Sequence, residues 1–434
     1  MQRLDNPVRD YSWGSASDIP EFLGRAAEGG PVAELWIGAH PDSPSRVVRD
    51  GNSQSLAEVI AARPQAELGP EVASRFGSRL PFLLKVISAA RPLSLQVHPD
   101  KQRAERAYAA QQQAPGAPRD YTDDNHKPEL ICALRDGFAG LCGFRAVPDS
   151  RHLLASLSVA GLAEISDCLD CANPADGLRN TVTSILTSDS DKASLIAAVQ
   201  QACERIAAEG GVWGPACAAY AAVAAAYPAD PGVLVALLLN YVELAAGEGL
   251  FVGAGVPHCY LRGFGAELMA SSDNVLRAGL TSKRVNVPEL LAVLDFRQEE
   301  PAVLCPVPGR AVGPGHDGYE PGAAYLTPVE DFRLSRIDLS DQPVGLPGCG
   351  PQILLCIAGT AQLHDGHGGV LVLARGQSAY LSAGDTRISI AGRGTVLRAT
   401  VGAGPGLSPD VAMAEFGSVG VSGLVATERR GQPR

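Results

Sequence analysis

The sequence predicts a mainly β protein interrupted by one helical block, and three observations carry that reading. Gly (48) and Pro (32) are abundant while Met (3) and Trp (3) are scarce, a balance that favours turns and short strands over an all-helical chain. Apolar β-type runs occur in the first 149 residues and resume near Gly247. Between them the composition shifts to Ala, Leu and Val at 3.6-residue spacing, broken at Pro174, at Gly210 to Gly214 and at Pro228 to Gly232. The simplest arrangement is a helical insertion into a β domain, with a freestanding helical domain as the alternative.

Taken in order, Ser55 to Phe76 has helical apolar spacing cut by Pro64 and Pro70, which predicts short helices. The stretch LPFLLKVISAARPLSLQVHPD, ending at Asp100, holds two apolar runs around a small-residue turn and predicts two strands. Gln111 to Asn125 is polar, contains Pro115, Gly116 and Pro118, and reads as an exposed loop. Pro301 to Pro328 reads as a linker to a last region, Phe332 to Val401, of short β-type runs such as ILLCIAG and VLVLARG. A chain of 434 residues exceeds what one core usually organises. The expected division is residues 1–149 joined to 247–322 as a discontinuous β unit, 150–246 as the helical insertion, and 323–434 as a second β unit.

A net charge of −11 disfavours nucleic acid and anionic membrane surfaces as partners, and an anionic substrate would need a local basic pocket. Met1 to Tyr11 carries Arg3, Asp5, Arg9 and Asp10 and no apolar run, so no secretory signal is read there. The longest apolar stretch, Val233 to Ala246, is interrupted by Asn240 and Glu243 and is too short to span a bilayer. A cytoplasmic protein with no evident obligate protein partner is expected. Its ten cysteines then read as reduced, and the lone Cys168–Cys171 pair lacks the second pair a structural metal site would need.

Gly247, Gly253, Gly255 and His258 are spaced 6, 2 and 3 apart, and Gly376, Ser382, Gly384 and Arg387 repeat those offsets. Both segments resemble the second half of the cupin pattern, in which a hairpin delivers a metal-binding histidine from a small jelly-roll barrel. Gly253 departs from the proline usual there, and Arg387 replaces the histidine. The last region is therefore expected to be a degenerate cupin-like domain without metal.

Gln96 and His98 lie two apart in a strand-like run, so they face the same side and can share one metal. Alone, the histidine would read as a surface residue. NHKPEL then places His126, Lys127 and Glu129 together after the polar loop. From Gly253 to Glu289, Asp, Asn, Arg and Lys interrupt short apolar runs too densely for core or featureless loop.

Through QVHPDK, NHKPE, VPHCYL and above all ASSDNVLRAGLTSK, the sequence resembles the type I phosphomannose isomerases. Trp13-Gly14, PFLLK and the domain order extend the resemblance over most of the chain. It implies a catalytic cupin barrel with one zinc per chain, held by Gln96, His98, Glu129 and His258, and interconversion of mannose 6-phosphate and fructose 6-phosphate through an enediol-type intermediate. Two imidazoles, a carboxylate and an amide oxygen suit Zn²⁺ and leave a position open, although other divalent metals accept such ligands.

The resemblance further implies that Arg277 is the active-site arginine and that Lys85 and Ser94 hold the phosphate. Arg277 is too basic to take a proton but can hold developing negative charge. His126, Lys127 and Asp273 are the candidates for moving the proton. Lys283 can join the basic pocket, and Tyr260 and Glu267 can line the sugar site. Ser282 stands where many family members have proline. Two other readings are a non-catalytic cupin that binds metal and a sugar phosphate, and an oxygenase. Arg277 and NHKPE argue against the first, and Gln96, which fills a position an oxygenase keeps open, against the second.

Overall fold

The structure is a computed structural model that describes residues 1–402 apart from 50, 115, 117, 189–190, 309–320 and 349. Part of the linker read over 301–328 and residues 403–434 of the last unit lie outside the described residues. Two large sheets of eleven and nine strands organise the fold. The two strands expected before Asp100 are Phe82–Ala89 and Leu95–Val97, and the short helices are Leu56–Ala62, Pro64–Leu68 and Pro70–Phe76.

The thirteen-residue strand His258–Ala270 is the axis of the first sheet. Its second half runs between Phe82–Ala89 and Glu129–Ala133, while its first half meets Phe138–Phe144 and, at His258, Leu95–Val97. The strand changes partners at a register shift between Tyr260 and Arg262. Gly263 follows, with φ +127°, and a Cβ there would lie 2.6 Å from Phe138 Cα. A bulge and a glycine are the ordinary means of turning one strand round a barrel corner. Every residue of Phe82–Ala89 is buried, so that strand is continuously apolar apart from Lys85 and Ser88.

Among the described residues, six α-helices from Val147–Leu157 to Gly232–Ala236 and one short 3-10 helix, Ala160–Leu162, make up the helical block, with Ala193–Glu209 and Gly214–Ala226 packed as a pair. The block returns as the strand Leu239–Leu244, which pairs with Phe138–Phe144, the strand from which the chain departed. The end of the range read as helical is thus extended. Its run VLVALLLNYVEL is apolar enough to suit either state, and pairing with a free strand edge decides it. Arg145 sits at the junction, buried, donating to the Leu237 carbonyl (2.9 Å) and lying over the Trp213 ring.

In the second sheet ILLCIAG lies within the thirteen-residue strand Gln352–His364, which pairs with Ile388–Thr400 of the same length, while VLVLARG gives the short strand Val370–Ala374. Gln2–Leu4 pairs with Ser378–Leu381, so the first residues of the chain belong to this sheet. The glycine repeat has a structural counterpart. Gly247 and Gly376 have φ +89° and +82°. Each precedes a four-residue strand, Gly249–Val252 or Ser378–Leu381, then a turn and a thirteen-residue strand. No described helix is long and apolar enough to cross a membrane.

Leu84, Leu130, Phe264 and Leu268 of the first sheet share one core with Ile353, Leu355, Tyr380 and Leu397 of the second. Leu355→Ala, though remote from any polar cluster, is expected to cost about 2–5 kcal/mol. Because the core is shared, unfolding of the last unit and of the barrel should shift together in denaturant, followed by circular dichroism and near-ultraviolet signals on the same samples.

Candidate metal centre and substrate cleft

Strand register builds the centre. His258 pairs with Gln96, and Gln96 pairs with Arg277 on its other side, so three functional side chains stand in one cross-strand row. His98 follows the strand Leu95–Val97, and Glu129 opens Glu129–Ala133. The ligating atoms of His98, Glu129 and His258 lie within 4.8 Å of one another, and all three residues are buried. Each imidazole Nε2 is 3.3 Å from one Glu129 oxygen.

The tautomers show that these residues fit a cation. His98 Nδ1 is 2.8 Å from the Asn274 carbonyl and His258 Nδ1 is 3.0 Å from the Val256 carbonyl. A carbonyl only accepts, so both rings carry their proton on Nδ1 and turn an Nε2 lone pair toward Glu129. His98 Nε2 is buried with no hydrogen-bond partner. Two lone pairs facing a carboxylate are mutually repulsive unless a cation sits between them. Gln96, paired in register with His258, donates its amide N–H to Ser94 Oγ (3.1 Å).

Burial, then Lys127, holds the His98 imidazolium down to about 4, so the ring is neutral as a ligand must be. Burial alone would raise Glu129, but Lys127, whose Nζ is 2.5 Å from Oε1, outweighs it and keeps the carboxyl well below its ordinary value.

A second row, Trp36, Lys85 and Glu267, lies on adjacent strands. Lys85 Nζ is 3.4 Å from Glu267 and 3.8 Å from Glu34, and Trp36 Nε1 donates to Glu34 (2.7 Å). Burial would lower the Lys85 ammonium, yet Glu34 and Glu267 outweigh it and raise it. Lys85 therefore lines the cleft with its charge already committed to two carboxylates. The buried Tyr260 hydroxyl has no hydrogen-bond partner among the described residues and faces an inner cavity of about 60 Å³, shared with Glu129, His258 and Glu267.

Outside this cavity a cleft of about 1240 Å³ runs between the barrel and the helical block, lined by Ser94, Gln96, Asp273, Arg277 and Lys283. Arg277 and Lys283 also line an adjoining cavity with Arg119 and Arg284. Arg277 is half-buried, burial lowers its pKa, and no carboxylate pairs with it among the described residues. Asp273 Oδ2 lies 2.9 Å from His40 Nε2, and His40 Nδ1 accepts the Asp42 N–H (3.3 Å), so the ring donates to Asp273. Burial would raise Asp273, but this hydrogen bond and the nearby cations hold it below the usual range.

His126 is not brought to the centre. Its Nε2 is 2.9 Å from Asp331, and it lines none of these cavities. In the extended approach to Glu129–Ala133, Lys127 reaches Glu129 whereas His126 turns to Asp331. Sequence reasoning missed Glu34, Trp36, His40 and Asn274. An acid and a tryptophan two apart in the apolar run AELWIG were a usable signal, whereas His40 and Asn274 act through partners far along the chain.

A buried His–His–Glu centre with an amide beside it, inside a small antiparallel barrel and open to a cationic cleft, defines a metal-binding protein of the cupin type. Residues 1–147 match the family model of the phosphomannose isomerase type I catalytic domain. The chain is 38% identical to the mannose-6-phosphate isomerases of Salmonella typhimurium over 404 residues and of Escherichia coli over 405, with 92% of this chain and 99% of each relative covered. An alanine variant of the Salmonella typhimurium phosphomannose isomerase superimposes with TM-score 0.82 at 37% identity, covering 93% of this chain and 100% of that one. A mannose 6-phosphate isomerase structure bound with zinc and yttrium gives TM-score 0.81 over the same shares at 37% identity. The chain belongs to the type I phosphomannose isomerases.

His98→Ala and His258→Ala are each expected to abolish stoichiometric binding of a divalent transition metal, measured by elemental analysis of the folded protein. Gln96→Ala should weaken binding less, because a neutral amide oxygen is the poorest ligand of the set.

Proposed function

We propose that this chain is a zinc-dependent aldose–ketose isomerase acting on mannose 6-phosphate and fructose 6-phosphate, with one zinc held by Gln96, His98, Glu129 and His258. The observation that carries the reading is the row His258, Gln96, Arg277, which sets a guanidinium without a carboxylate partner beside the metal ligands in a cleft. A passive metal site has no use for such a cation, whereas an enediolate does. The relatives named as mannose-6-phosphate isomerases support the same substrates.

The two sugars differ in the placement of two hydrogens. In the open-chain aldose a base takes the C2 proton, the C–H electron pair becomes the C1=C2 bond, and O1 gains a proton. The O2 proton then leaves as C1 is protonated, and the base is restored. Zinc bound at the four ligands supplies a Lewis acid for the sugar oxygens. Arg277 holds the charge that develops on oxygen. Asp273, ionised and oriented by His40, is the proton carrier. Lys127, paired with Glu129, serves as a fixed ammonium near the reacting oxygens. Lys283 and Ser94 receive the phosphate, while Lys85 holds Glu34 and Glu267 in place.

Purified protein given mannose 6-phosphate should form fructose 6-phosphate, and a chelator should abolish this until zinc is restored. Failure of turnover by the zinc-loaded protein would sink the reading. Arg277→Ala should keep its zinc and unfolding midpoint but lose on the order of 10²–10³ in kcat, and a change confined to KM would make Arg277 a binding group only.

The proton carrier is tested by a pair of variants. Asp273→Asn should lose kcat and slow the exchange of solvent deuterium into the sugar, whereas His126→Gln should stay within about twofold of wild type. The reverse pattern would transfer the role to His126.

A further inference from the structure

The far wall of the cleft comes from the helical block, through Tyr227 to Pro231, and the chain that follows it packs against the strand that carries Arg277. Gly232 and Gly279 touch backbone to backbone. A Cβ built on Gly279 would lie 2.5 Å from Gly232 Cα, and one built on Gly232 would lie 2.7 Å from Gly279 Cα. Gly279 is the last residue of Leu276–Gly279, the strand that carries Arg277.

Asp230 spans this contact with both carboxylate oxygens. Oδ1 accepts the Gly232 N–H at 2.7 Å, and Oδ2 accepts the Thr281 N–H at 2.9 Å from the other side. Thr281 Oγ1 in turn accepts the Lys283 N–H at 3.1 Å. Between the two anchored residues, buried Leu280 has φ +55°, a left-handed conformation shared by one other non-glycine residue among those described. Such a conformation persists where surrounding contacts over-determine it. The loop also holds two cations together, for Arg277 and then burial depress the Lys283 ammonium. A loop that is strained and carries like charge needs an external tie, and Asp230 supplies it.

We infer that Asp230 is a positioning residue, which holds the segment Leu280–Lys283 so that Lys283 stands ready for the substrate's phosphate, making the helical insertion part of the binding machinery. The inference rests on the reading that the cleft takes a sugar phosphate with Lys283 at its phosphate.

The test uses the full, zinc-loaded protein and the variants Asp230→Ala, Asp230→Asn, Lys283→Ala and Asp230→Ala/Lys283→Ala. Inorganic phosphate serves as competitive probe, and amide hydrogen exchange is followed at Thr281 and Lys283. Asp230→Ala should raise the phosphate inhibition constant and KM about tenfold and speed exchange at both amides, with zinc content unchanged. Asp230→Asn, which keeps one acceptor oxygen, should fall between Asp230→Ala and wild type, and it carries the test if the alanine variant does not fold. In the Lys283→Ala background, removing Asp230 should weaken phosphate binding no further. Equal weakening in both backgrounds, or unchanged phosphate binding in Asp230→Ala, overturns the inference. Unchanged binding in Lys283→Ala overturns it as well, by removing the residue that Asp230 is held to position. Failure of the functional reading looks different: wild-type protein would bind phosphate as described and yet leave mannose 6-phosphate unconverted.

Discussion

A carboxylate buried beside two imidazoles is the constraint on which the rest of this molecule depends. Burying Glu129 costs several kcal/mol unless positive charge meets it, and Lys127 meets only one of its oxygens. Among the residues that line the inner cavity, two further buried acids, Glu34 and Glu267, stand against a single further cation, Lys85. Three carboxylates against two ammoniums leave an excess of one negative charge. Burial and then Glu129 push Glu267 upward, the direction such an excess demands. A divalent cation among His98, Glu129 and His258 reverses the sign. The inner cavity then favours the anionic oxygens of a sugar phosphate and of its enediolate.

That centre was largely legible because its residues lie in short local patterns. Gln96 and His98 share a face by spacing and NHKPE sets three chemically useful side chains together, but it is the resemblance of these blocks to the type I phosphomannose isomerases that marks them as one site. What a local pattern withholds is the direction of each side chain and the identity of distant partners. His126 was the histidine of its block, yet its ring meets Asp331 while Lys127 reaches Glu129. The resemblance gives Lys85 as a phosphate ligand, and its two carboxylate partners, Glu34 and Glu267, could not be read beside it because they come from other strands. Asp230 was invisible for the same reason, since its meaning depends on Thr281 across the cleft.

The fold shows the same division. Periodicity located the helical block and the sheets on either side of it, but not the point at which Leu239–Leu244 leaves helix for strand. An apolar run suits both states, and only the free edge of Phe138–Phe144 settles the choice. The first residues of the chain carry no sign that Gln2–Leu4 will pair with Ser378–Leu381, more than three hundred residues away. Such long-range pairing is set by which edges remain open once the local elements have formed.

The two sheets follow one strand plan and fill it differently. In the first barrel the interior holds Glu34, Lys85, Glu129, Tyr260 and Glu267, a set that gives up apolar packing for chemistry. In the second, the corresponding hairpin closes over Leu354, Cys356, Leu363, Leu373, Ile390 and Val396. Arg387 precedes its long strand where His258 begins the other. A polar interior destabilises the barrel that contains it. The shared core, with Phe264 and Leu268 packed against Leu355 and Leu397, couples that barrel to the apolar unit and so offsets part of the cost. The second unit thus has a physical role in a site whose described His–Glu–His cluster lies in the first.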